Sequence, residues 1–100
     1  MNTINKVSEI TVQDIADYIR LDELTTDETN TLNTLLNVSK AFISKYTGIA
    51  SENLDNYPDF VIVVLILCQD MYDNRTLYVD NENLNKVVDT ILGMYSVNLL

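Results

Sequence analysis

The sequence predicts an all-α domain of four helices, and three observations carry the prediction. Residues 12–19, 28–46 and 83–95 each repeat apolar side chains at helical spacing, not in strict alternation. Between the last two lies Pro58-Asp59 followed by nine uninterrupted apolar residues, Phe60 to Cys68. The chain has only two Gly and one Pro and is 47% hydrophobic, which marks a folding chain and not a disordered one.

Residues 1–10 carry no clear periodicity and read as a flexible arm. Thr11 with an acid three residues on, Asp14, resembles a capping arrangement at a helix start. Behind it Val12, Ile15, Ala16 and Ile19 fall on one face of a short helix ending near Arg20 and Leu21. Asp22 to Thr26 is a polar connection, and Asp27 suits the N-cap of the next helix. That long helix, Glu28 to Tyr46, stacks Leu32, Leu35, Leu36, Phe42, Ile43 and Tyr46 on one stripe. Acids at its start and Lys40 and Lys45 near its end complement the helix dipole, and Gly48 supplies a left-handed stop. Ile49 to Tyr57 reads as a polar loop.

The central helix spans residues 58–75. Its β-branched residues also fit a buried strand, but strands seldom run so long, and Pro58 suits a first helical turn. A helix apolar all round must be surrounded by protein, and a chain of 100 residues has little with which to cover it. Some of that surface is therefore expected to meet a neighbouring subunit. A membrane span needs ~20 apolar residues, about twice this run, and no charged-then-apolar leader opens the sequence. Thr76 to Asn83 reads as an extended excursion. The last helix, Asn83 to Tyr95, places Leu84, Val87, Val88, Ile91, Leu92 and Tyr95 on one face, and residues 96–100 form a tail. The whole, 1–100, is one domain.

Composition narrows the function. Six Lys and Arg stand against fifteen Asp and Glu, a formal net charge of −9, and the cations are scattered. Gripping a phosphate backbone needs clustered cations, so direct nucleic-acid binding is disfavoured. An acidic surface instead keeps a protein soluble, mimics DNA, or lines a passage to which DNA must not adhere. The chain has no histidine and one cysteine, Cys68. The commonest general base, a Cys–His dyad and a thiolate zinc site are therefore all missing. Asp70 and Asp73 sit one turn apart, but helical carboxylate metal sites add Glu-x-x-His pairs, which this chain lacks. Asp80-Asn81-Glu82-Asn83 is too short for an EF-hand loop and has no glycine. The expectation is a non-enzyme with no cofactor and no metal.

Tyr72-Asp73-Asn74-Arg75 is the polar cluster that looks specified. It admits two readings. In one, Tyr72 packs in the core and the other three cap the helix, Arg75 complementing the dipole. In the other, Arg75 reaches a carboxylate of a neighbouring subunit as a bidentate pair.

The order of these features resembles the phage head–tail connector family of gp6-like proteins and prophage neck adaptors. The family's short helix ends in a Leu-x-x-Asp turn, matched by Ile19-Arg20-Leu21-Asp22-Glu23. Its long helix closes on an aromatic-Thr-Gly motif, matched by Tyr46-Thr47-Gly48. Its apolar helix ends in Tyr-x-Asn-Arg, matched by Tyr72-Asp73-Asn74-Arg75. The resemblance extends from Thr11 to Tyr95. The chain departs from it in having no Trp near Tyr72 and no basic residue closing the last helix.

What the resemblance implies is a structural protein of the virion neck, formed in the host cytoplasm. It implies a homo-oligomeric ring on the portal protein, joining the DNA-filled head to a stopper or tail-completion protein, with DNA passing through the lumen unbound. Tyr72, Asp73, Asn74, Arg75, Tyr46 and Gly48 are then the family-motif and candidate interface residues. The alternative from another class is an acidic helical regulator, or DNA mimic, that binds a host protein.

Overall fold

Thr11 opens the first helix as expected. Its hydroxyl accepts the Asp14 amide at 3.1 Å while the Asp14 carboxylate accepts the Thr11 amide at 2.8 Å, a reciprocal capping box. In the computed structural model, which describes residues 4–79 and 84–95, this helix is α1, Val12–Tyr18. Helix α2 runs Thr26–Thr47, α3 Asp59–Asn74 and α4 Lys86–Tyr95. Short 3-10 turns occupy Val7–Glu9 and Ser51–Asn56, and no strand occurs among the described residues. The protein is all-α.

Three boundaries differ from expectation, each for a local reason. Helix α2 starts before Asp27 because the Thr25 hydroxyl reaches the Glu28 amide at 3.1 Å; Asp27 and Glu28 then lie in the first turn. Helix α4 begins at Lys86, where the Asn85 side chain accepts the Val87 amide at 2.8 Å. Its expected start at Asn83, the Asp80–Asn83 loop and the tail 96–100 lie outside the described residues. The loop 49–57 is partly helical because Leu54 turns inward and is buried.

Residues 4–10 are docked against the domain. Val7 and Ile10 are buried in the core, and Ser8 donates its amide (2.9 Å) and hydroxyl (2.6 Å) to the two oxygens of Asp55. These two hydrogen bonds, chiefly the one from the Ser8 hydroxyl, hold the Asp55 carboxyl below its usual range. Two apolar anchors in ten residues leave no periodicity to read, which is why the segment resembled an arm.

Helices α2 and α3 form the antiparallel centre, and α1 and α4 each pack against both. The stripe of α2 (Leu32, Leu35, Leu36, Ile43) meets Phe60, Val63, Val64, Leu67 and Met71 of α3 in one continuous core. At one end Phe60 stacks on Tyr57 (ring centroids 5.1 Å) and meets the Tyr95 ring edge-on (5.2 Å), so α4 is clamped to the start of α3. Buried polar side chains are satisfied: no buried side-chain nitrogen or oxygen among the described residues lacks a hydrogen-bond partner. The central helix is less enclosed than its sequence suggests. Ile62 is exposed and Ile66 half-buried, because α1, α2 and α4 leave one stripe of α3 uncovered. Among the described residues, no helix is long and apolar enough to cross a membrane.

Candidate interaction site

The three sequence motifs all prove to be helix endings. After α1, Leu21 donates its amide to Ala16 (2.9 Å) and Arg20 to Asp17 (3.2 Å), with Arg20 left-handed at φ 63°. After α3, Thr76 donates to Met71 (3.0 Å) and Arg75 to Tyr72 (3.2 Å), with Arg75 at φ 55°. Both are Schellman closures, with arginine where glycine is usual. After α2, Gly48 takes the left-handed position at φ 78° and donates to the Ser44 carbonyl at 2.9 Å. There Thr47 is fully buried; its hydroxyl donates to the Ile43 carbonyl (2.7 Å) and accepts the Ile49 amide (3.2 Å). The Ser44 hydroxyl ties the exit by donating to the Ile49 carbonyl at 2.6 Å. Thr47 was not among the expected site residues, yet it is the residue on which that turn closes.

Around Tyr72 the side chains form a layered cluster. The phenol donates to Glu28 at 2.9 Å, tying the end of α3 to the first turn of α2. The Arg75 guanidinium lies over the Tyr72 ring, 4.7 Å from its centroid. Asn74 donates to the Asp70 carbonyl at 2.8 Å. Tyr72 is half-buried and packs against the core, and Asp73, Asn74 and Arg75 are exposed. Asn74 and Arg75 thus act within their own helix end, and the capping reading accounts for their geometry. Glu28 was not singled out from the sequence, although Thr25-x-x-Glu28 carries the spacing of a capping box.

Tyr46 and Gly48 stand apart from this cluster. Tyr46 lies at the opposite end of α2 from Glu28, about 27 Å along the helix axis. Its phenol donates to Asp89 of α4 at 2.8 Å, and its ring tilts against Phe42. That hydrogen bond, then burial, then the nearby Asp89 charge hold the Tyr46 proton more tightly than usual. The six expected residues therefore occupy two places, each fixing a helix end against a neighbouring helix.

The chemically suggestive groups are quiet in this setting. Cys68 is fully buried, its thiol within 3.4 Å of the Ser39 hydroxyl, and burial pushes its pKa up to about 11. Asp70 borders a cleft of about 320 Å³ with Leu67, Met71, Asn74, Tyr78 and Leu84. Burial, and secondarily Asp73, raise its carboxyl above the usual range. Among the described residues, no three His, Cys, Asp or Glu side chains converge as a metal cage would require. No family model, curated protein or solved structure matches the chain.

Proposed function

We propose that the protein is a structural head–tail connector of a phage or prophage, assembling as a ring on a portal and acting through assembly, not catalysis. The observation that carries the reading is the order of three motifs in one helical domain: Ile19–Glu23, Tyr46–Gly48 and Tyr72–Arg75. Each motif closes a helix, so together they specify the lengths of α1, α2 and α3 and the turns between them. The charge is compatible with the role, since a net −9 chain lining a lumen repels DNA phosphates and lets the duplex slide. A ring needs a heterologous interface, two different faces that fit each other. The exposed apolar side chains after α3, Leu77 and Tyr78, can supply one of them.

The test is electron microscopy of the purified protein, alone and mixed with a phage portal protein. Ring-shaped or portal-bound density is expected. Persistent absence of both, together with recovery of a host polymerase or nuclease on the tagged protein from lysate, would replace the connector with the acidic regulator.

A further inference from the structure

We propose that the seam between α3 and α4 is a docking strip for a basic amphipathic helix of a partner protein. The strip follows from helical spacing. On α3, Asp59, Ile62, Ile66, Gln69 and Asp73 share one stripe, the stripe the other helices leave open. On α4, Val87, Ile91 and Met94 share another. The two stripes are neighbours. Asp59 accepts the Tyr95 phenol at 2.8 Å, which places the α3 stripe beside α4. Asp89, on the other flank of α4, is bonded to Tyr46 of α2, so the Val87–Met94 stripe faces away from α2 and borders α3.

The side chains there are open to solvent: Ile62 is 39% exposed, Val87 52% and Met94 66%, with Ile66 and Ile91 half-buried between them. The α3 stripe runs about four turns from Asp59 to Asp73, with its aliphatic pair Ile62 and Ile66 inside it and the two-turn Val87–Met94 stripe alongside, a footprint that suits one amphipathic helix read as anchors three and four apart. Charge selects the occupant. The apolar stretch of α3 is bracketed on its own stripe by Asp59 and Asp73, Asp70 stands beside it, and α3 contains no Lys or Arg. Lys86 is the single cation of α4. The chain's own six Lys and Arg are scattered and offer no such rim, whereas a helix carrying lysine or arginine beside its apolar face meets Asp59 and Asp73 at the two ends of the α3 stripe. The inference does not depend on the connector reading.

The probe is a synthetic leucine–lysine amphipathic helical peptide about four turns long, titrated into the full-length protein and followed by amide and methyl NMR shifts. A shuffled peptide of identical composition but no apolar face is the control. Shifts are expected at Ile62, Ile66, Val87, Ile91 and Met94, with the shuffled peptide roughly ten-fold weaker or worse. Ile62→Glu and Met94→Glu, both at exposed positions, make the protein more acidic yet are expected to weaken binding about ten-fold each while circular dichroism stays unchanged. Equal binding of both peptides, shifts confined to other surfaces, or tighter binding by the glutamate variants would reduce the effect to charge alone and overturn the proposal. So would a free protein that sediments as a dimer dissociated by Met94→Glu. Contacts from Val97 or Leu99 to Ile62 in the free protein, with peptide binding only after residues 96–100 are removed, would give the strip to the chain's own end.

Discussion

Thr47→Val separates a hydroxyl's role from its packing. The two side chains are nearly the same shape, so the buried site stays filled, but valine can neither donate to the Ile43 carbonyl nor accept the Ile49 amide. Ile49 is buried, and its amide then has no partner in the turn. Leaving one buried donor unmade costs about 1–3 kcal/mol. For a domain of this size about 2 kcal/mol lowers the melting temperature by roughly 8–16 °C. Thr47→Ser keeps the hydroxyl and loses only a methyl, a change on the order of 0.5–1.5 kcal/mol, as for Ile→Val in a core. The assay is urea unfolding followed by far-UV circular dichroism, with the three proteins compared at equal concentration. The expected order of stability is wild type, then serine, then valine. Valine as stable as wild type, or more stable than serine, would show that the methyl holds this turn and that the hydrogen bonds around Thr47 contribute little.

Phe60→Ala removes a fully buried ring together with its contacts to Tyr57 and Tyr95. It should cost about 3–5 kcal/mol and loosen α4 first, seen as faster amide exchange in 86–95 than in α2. Arg75→Gly relieves a left-handed residue but loses the guanidinium from the Tyr72 face, so the two effects should cancel to within about 1 kcal/mol. If that variant keeps its stability but fails to form rings, Arg75 has an intersubunit role in addition to the cap; unchanged assembly would leave it the cap alone. Asp70→Asn should stabilise the protein at neutral pH. Its carboxyl is raised by burial, so the protonated form favours folding: that contribution is complete below the unfolded value near 3.9 and lost as pH rises through the folded one. The gain over wild type should vanish in acid, and a pH-independent gain would assign the effect to something other than ionisation. Cys68, with its thiol held near 11, should resist alkylation in the native protein at mild alkaline pH and react only on unfolding. Labelling at the rate of a free thiol would mean that α2 and α3 separate readily around Ser39.

Much of the fold was legible because its signals are local. The stripe of α2 and the apolar run of α3 fix helix type and core face within a few turns, and the Thr11–Asp14 box and Gly48 stop need only adjacent residues. The misread boundaries were local competitions. Thr25 outbid Asp27 because its hydroxyl stands three residues before Glu28, and Val7 and Ile10 offered only two anchors without a period. The candidate site was legible as motifs but not as geometry. Tyr46 and Tyr72 both sit in aromatic helix endings, yet because α2 and α3 run antiparallel they lie at opposite ends of that pair.

Taken by itself, the sequence determined four helices, an acidic surface and the lack of a histidine-based chemistry, since composition and periodicity require no knowledge of neighbours. Tertiary structure alone decided which carboxylate each tyrosine meets: Glu28 for Tyr72, Asp89 for Tyr46 and Asp59 for Tyr95, partners 44, 43 and 36 residues apart. It also decided that Ser8 reaches Asp55 and that one stripe of α3 stays open beside α4. A helical period fixes the direction of each side chain about its own axis. How far one helix slides or turns against another is set by the packing of all of them at once, and no single stretch of chain contains that information.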